Sequence, residues 1–192
     1  RDDNIASRLS RAGFLYTLRQ WHALRAQEHP LNWSPCGVLQ IALNSDHEQL
    51  LRKSVEALQF SGEYAWFAEV EEAARLVGRR VGAGGVLFPA GGWVNPPSLC
   101  AAELSCHSDR VRRHLGREAI SLERRGGDWH VLDAKGATIA QAPVVVLANA
   151  FDARAFSQAR GLFFRRIRGQ VSFLPASALA PIPLAVCGNG YL

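Results

Sequence analysis

Apolar residues at Ile5, Leu9, Ala12 and Tyr16, with Phe14, Leu18 and Trp21 widening the stripe, predict an amphipathic helix over residues 5–25. Pro30 lies beyond its end, and residues 37–43 read as a strand. Ser45, with Glu48 three residues later, has the form of a capping box ahead of Leu50, Leu51, Val55 and Leu58, so a second helix starts there. Glu69, Glu71 and Glu72 crowd the first turn of a third, shorter helix, where carboxylates suit the positive end of the dipole, and Gly78 stops it. The sheet resumes at Val86-Leu87-Phe88, and Pro96-Pro97 preset the first turn of a fourth helix running through Leu99 to about Cys106.

Beyond this point the period shortens. Residues 111–140 alternate short strands with turns at Arg125-Gly126-Gly127-Asp128 and Ala134-Lys135-Gly136, which predicts a β-meander inserted on a larger sheet. It feeds Val144-Val145-Val146-Leu147, four consecutive apolar branched residues of the kind a strand covered on both faces needs, closing on the small residues Ala148, Asn149 and Ala150. Ligands in open α/β sheets sit at the carboxyl ends of such strands, so this end is a candidate site; the competing reading is a core strand running into a turn. Residues 165–173 are strand-like with Gly169 in the middle, and residues 182–186 give another strand.

A chain of 192 residues is long enough for one substantial core or two small lobes, and short for a complete two-domain enzyme. With 48% apolar and 20% charged residues and no repeat it is globular in composition, and no apolar stretch approaches the length that spans a bilayer, so no membrane partner is expected. It lacks Met and a secretory pattern and reads as an internal piece. Cys36, Cys100, Cys106 and Cys187 include no C-x-x-C pair, so no metal site is indicated and the four read as reduced thiols of a cytoplasmic protein. The net charge of +5 is concentrated in Arg110, Arg112, Arg113, Arg117, Arg124 and Arg125 and again in Arg160, Arg165, Arg166 and Arg168. Such clusters suit a polyanion such as nucleic acid, against the commoner case of a solvated charged face.

Two glycine-rich segments are candidate sites. Gly82-Ala83-Gly84-Gly85 fails the dinucleotide pattern, because Leu87 stands where its third glycine belongs and a strand follows, so it reads as a tight turn. Gly91-Gly92-Trp93-Val94-Asn95-Pro96-Pro97 joins two glycines that let backbone pack closely to a large flat ring and a rigid turn, which can floor a pocket; the competing reading is a tryptophan filling the core.

The ordered set Phe88-Pro89-Ala90-Gly91-Gly92-Trp93-Val94-Asn95-Pro96, Val145-Val146-Leu147-Ala148-Asn149-Ala150, Arg168-Gly169-Gln170-Val171-Ser172 and Cys187-Gly188-Asn189-Gly190-Tyr191-Leu192 resembles one family along the whole chain. It is the FAD-dependent half of the bacterial bifunctional enzymes of tRNA 5-methylaminomethyl-2-thiouridine biosynthesis, whose flavin domain belongs to the D-amino-acid oxidase and glycine oxidase fold group. The resemblance implies an α+β fold of the α/β family: a partial FAD-binding domain with a β-meander (residues 1–30 and 96–155) plus an antiparallel-sheet substrate domain flanked by helices (residues 31–95 and 156–192). It implies FAD as cofactor and tRNA as partner. The reaction it implies is one in which hydride leaves the carbon attached to nitrogen, the imine hydrolyses, and a carboxymethylaminomethyl wobble uridine becomes aminomethyl uridine plus glyoxylate. It also implies a preceding methyltransferase domain, a glycine-rich pyrophosphate loop ahead of residue 1 and a closing segment after residue 192.

Carried over residue by residue, the resemblance places Leu147, Ala148, Asn149 and Ala150 near the FAD diphosphate or ribose, and the backbone of Ala119 near the adenine. Gly92, Trp93, Asn95, Arg168, Gly169 and Gln170 border the flavin ring and substrate, with Tyr191 at the pocket edge. Asn95 stands where relatives often have cysteine and is given no acid/base role. Three functions follow for comparison: a flavin amine oxidase acting on a tRNA wobble uridine, a related oxidase acting on a free amino acid such as glycine, and a non-catalytic RNA-binding module on an oxidase scaffold. The basic clusters favour the first over the second.

Overall fold

Aromatic residues decide which face of the first helix packs. The structure, a computed structural model, describes residues 3–188 apart from 174, 176 and 179. α1 (Ile5–Ala26) starts at Asn4, whose side-chain oxygen accepts the Ser7 N–H at 3.0 Å. The helix forms where the periodicity predicts, yet Ile5, Leu9 and Tyr16 stay exposed. Contact runs instead through Phe14, whose ring meets Tyr64 and Phe88 edge-on at 5.9 and 6.5 Å, and through Trp21, which meets Trp33 at 5.7 Å. Rings bury more area than the aliphatic stripe, so the aromatic face wins the packing.

The chain divides into two compact units, Arg1–Val111 with Leu174–Leu192, and Arg112–Phe173. In the first, β1 (Trp33–Ser34) pairs with β5 (Trp93–Val94), and a four-stranded sheet runs β3 (Trp66–Ala68), β4 (Gly85–Phe88), β2 (Val38–Ile41), β9 (Ala185–Cys187). β2 and β3 lie antiparallel to β4, and β9 lies parallel to β2. The strand predicted at residues 182–186 thus forms, displaced toward its C-terminal end. α2 (Ser45–Leu58) is capped by Asn44, which accepts the His47 N–H at 2.8 Å, and not by the Ser45 capping box. Asparagine is at least as good a cap as serine, so the helix begins one residue earlier. α3 (Val70–Val77) ends at Gly78 in the left-handed conformation, as predicted.

The core of this unit lies where α3 meets one sheet face: Leu39, Ala68, Ala73, Val77, Leu87 and Leu184 are buried together. The Gly82–Gly85 segment is the tight turn the sequence suggests. A Cβ at Gly85 would stand 2.3 Å from the Gln40 carbonyl oxygen, so the β2–β4 ladder admits only glycine there.

The second unit is the predicted meander, β6 (Ser121–Arg125), β7 (Asp128–Leu132) and β8 (Thr138–Ala142), followed by two 3-10 turns at Ala150–Ala155 and Ser157–Ala159. Gly126 and Gly127, at φ 57° and 95°, make the two-residue hairpin turn. Leu122, Leu132, Ala153, Phe156 and Ala159 are its buried residues, and Gln158 Nε2 donates to the Leu122 carbonyl at 2.9 Å.

Three strand predictions fail in this unit. Residues 111–120 form no strand and are exposed throughout, so the meander begins at Ser121. Residues 144–147 form no strand either: Val144 is 73% and Val146 81% exposed, because no described strand runs beside them to complete a ladder or cover a face. Residues 165–173 are exposed, irregular chain for the same reason, with Gly169 weakening any strand preference further.

Candidate functional site

The predicted site residues fall on both units. In the first, Gly92 leads into β5 and is held by close packing: a Cβ there would lie 2.0 Å from the Ser34 carbonyl oxygen. The next residue, Trp93, pairs with Ser34 and is 47% exposed, so it does not fill the core. That role belongs to Trp33, 4% exposed, with Trp21 and His22 edge-on against it and Arg25 over its ring. Asn95 caps α4 (Pro96–Cys106). Its side-chain oxygen accepts the Ser98 N–H at 2.9 Å, its carbonyl accepts the Ser98 hydroxyl at 2.8 Å, and its N–H donates to Asn32 O at 2.8 Å. These bonds make Asn95 the joint that fixes Trp93 relative to the helix.

Gly92 also borders a cavity of about 310 Å³ together with Ser10, Phe14, Val38, Tyr64, Phe88 and Gly91. A larger cavity of about 600 Å³ shares Ser10, Tyr64 and Phe88 and continues between α1 and α2, past Arg11, Gln40, His47 and Leu51. Burial pushes the Tyr64 hydroxyl above its ordinary pKa. Sequence reasoning misses Tyr64 and Phe14 as cavity walls. Phe14 reads as one residue of a helix stripe, and Tyr64 stands in a short loop with no periodicity to place it.

In the second unit, Leu147 is half-buried and Ala148, Asn149 and Ala150 are exposed. Asn149 has φ −99° and ψ 28°, and Ala150 follows at φ 52°. A conformation near the right-handed region followed by a left-handed one turns consecutive backbone N–H groups into a concavity that suits an anion. Ala119 lies on exposed chain just before β6. Arg168, Gly169 and Gln170 are all exposed and belong to no strand. Tyr191 lies outside the described residues.

The family of FAD dependent oxidoreductases abbreviated DAO matches residues 3–192. The chain is 44% identical over 191 residues to the tRNA 5-methylaminomethyl-2-thiouridine biosynthesis bifunctional protein MnmC of Burkholderia multivorans, a match covering 100% of this chain and 29% of that protein. The corresponding protein of Paraburkholderia phytofirmans is 42% identical over 192 residues, again across 100% of this chain and 29% of the relative. The chain therefore spans 29% of the length of these curated relatives. Among solved structures, glycine oxidase from Geobacillus kaustophilus superposes with a TM-score of 0.65 over 95% of this chain and 50% of that one, at 18% identity, a likeness of fold. No helix among the described residues is long and apolar enough to cross a membrane. The mixed helix-and-sheet architecture and the match from residue 3 to residue 192 lead to one conclusion: this chain belongs to the FAD-dependent oxidoreductase family.

Proposed function

We propose that this chain supplies part of the flavin and substrate site of a cytoplasmic enzyme that oxidises the carboxymethylaminomethyl group of a tRNA wobble uridine to aminomethyl. The observation that carries this reading is the 44% identity to a bifunctional MnmC protein across 100% of the chain. The exposed, small-residue end at Ala148, Asn149 and Ala150 fits an FAD phosphate, since its backbone angles are of the kind that forms an anion-binding concavity and its side chains are small. FAD, when bound, accepts the hydride from the carbon next to the amine nitrogen.

The chain's own residues then have distinct tasks. Leu147 through Ala150 and the backbone of Ala119 hold the nucleotide part. Gly92, Trp93, Asn95, Arg168, Gly169, Gln170 and Tyr191 border the ring and the substrate. The exposed half of Trp93 forms a wall that keeps the reacting carbon in place, and Asn95 orients that wall through the helix cap. In this reading residues 1–30 and 96–155 are part of an FAD-binding domain and residues 31–95 and 156–192 part of a substrate-binding domain.

The test is anaerobic flavin reduction in the intact protein, with tRNA bearing the carboxymethylaminomethyl group in one arm and glycine in the other. Bleaching by the tRNA alone, with one glyoxylate released per uridine converted, is the expected result. Reduction by glycine alone would move the protein to the free amino-acid oxidases, and reduction by neither would leave the RNA-binding module.

A further inference from the structure

Charge divides unevenly between the two units. The segment Arg112–Phe173 holds eleven Arg and Lys against five Asp and Glu, and the rest of the chain holds eleven against twelve, so the whole positive excess lies on the second unit.

The arginines are also held differently. In the first unit Arg11 lies over the Phe60 ring and pairs with Asp3, and Arg52 lies 4.1 Å from the centre of the Phe67 ring and pairs with Glu69 and Glu48, while Arg25, 5.9 Å from the centre of the buried Trp33 ring, is the one ring-bound arginine of that unit with no carboxylate partner among the described residues. In the second, Arg124 sits 5.5 Å from the centre of Trp129, and Arg154 and Arg166 sit 5.4 and 4.5 Å from the centre of Phe151. Among the described residues, none of these three has a carboxylate within ion-pairing distance. All three are exposed, and the rings beneath them are half-buried.

A guanidinium laid on a ring uses its face for the contact and keeps its N–H donors around the edge, where a phosphate accepts them in pairs. The ring also fixes the side chain in advance, which reduces the rotamer entropy lost on binding. Stacked and carboxylate-free arginines are thus preorganised for an external anion, whereas Arg11 and Arg52 are already neutralised within the protein.

We propose that the second unit carries the RNA-docking surface of the protein, with Arg124 on Trp129 and the pair Arg154 and Arg166 on Phe151 as the groups that grip phosphates. The inference rests on the reading that the substrate is a tRNA, and it assigns the surface that holds the RNA away from the reacting uridine.

Filter binding of bulk tRNA to the intact protein across a salt series tests it, comparing the wild type with the triple variant Arg124→Gln, Arg154→Gln, Arg166→Gln. Flavin reduction by the isolated carboxymethylaminomethyl nucleoside and thermal melting run alongside. The variant is expected to bind tRNA at least about tenfold more weakly at low salt, and the slope of log K against log salt should fall by about two to three, at about 0.7–0.9 for each phosphate no longer neutralised. Nucleoside oxidation and melting should stay at wild-type values. An unchanged salt slope overturns the assignment, as does a lowered melting temperature with the slope intact, which makes the stacks structural. A variant that binds tRNA normally but loses affinity for polyglutamate overturns it in favour of an acidic protein partner. If the wild type itself shows no salt-dependent affinity for tRNA, the tRNA reading fails and this inference falls with it. Wild-type binding that the variant reproduces defeats the inference alone.

Discussion

Leu39 in β2 and Val146 in the run at residues 144–147 come from sequence segments of the same character and end in opposite surroundings. Leu39 has β4 and β9 as neighbours on either side and is 0% exposed, whereas Val146 has no ladder neighbour among the described residues and is 81% exposed. The difference teaches that an apolar run states a demand for cover and says nothing of who provides it. Strand formation needs partners for the backbone N–H and C=O groups, and those partners are distant in sequence even where they exist, as β9 is from β2. Leu39→Ala should therefore cost about 2–5 kcal/mol in equilibrium urea unfolding, while Val146→Ala in the same 192 residues should stay within about 0.5 kcal/mol. In the intact protein, a Val146→Ala cost rising to about 1–3 kcal/mol would reveal that other residues cover the run. Equal costs for the two substitutions in the 192-residue chain would abolish the contrast.

The same comparison explains what could be read from the sequence. The helices, the hairpin turn at Gly126 and Gly127 and the stop at Gly78 are local events. Each depends on residues within a turn or two, and each appears where the sequence places it. The packing face of α1 was not legible, because the helix carries both an aliphatic and an aromatic stripe and the choice lay with Tyr64, Phe88 and Trp33, far along the chain. The family was legible through the order of its motifs, none of them strong alone. Of the candidate site, Gly92 shows the close backbone packing that its paired glycines predict, admitting the Ser34 carbonyl, whereas Asn95 has a structural task that its residue type permits but does not announce: it caps a helix.

Trp93 and Trp33 give the next largest contrast, two tryptophans on paired strands with different exposure. Trp33→Ala empties a buried site and should cost about 3–5 kcal/mol. Trp93→Ala removes a ring that is half out of the fold and should cost about 2 kcal/mol, yet slow flavin reduction in the intact protein roughly a hundredfold if the ring holds the reacting carbon in place. Stopped-flow reduction beside thermal unfolding separates the two effects. Normal reduction kinetics in a destabilised Trp93→Ala protein would remove it from the substrate wall.

The smallest effect concerns the carboxylates that neutralise Arg52, one of the ring-bound arginines of the first unit. Arg52 donates two hydrogen bonds to Glu69, one of them at 2.8 Å, and Glu48 stands a turn away at 3.6 Å. The hydrogen bond from Arg52 holds the Glu69 carboxyl below its ordinary pKa, against a desolvation effect of opposite sign, with the Arg52 charge adding to the lowering. Because the folded-state value is the lower one, the ionised carboxylate favours the folded state. Its contribution is complete above the ordinary carboxylate range and disappears as the pH falls through the folded-state value. Glu69 is exposed and Arg52 only half-buried, so salt screens the pair and the effect is small. Urea midpoints of the wild type and Glu69→Gln should differ slightly at about pH 7 and converge as the pH is lowered toward about 3, and Arg52→Ala should remove most of that pH dependence. A gap between wild type and Glu69→Gln that persists at the acid end would assign the effect to the start of α3 and deny Arg52 its neutralising partner.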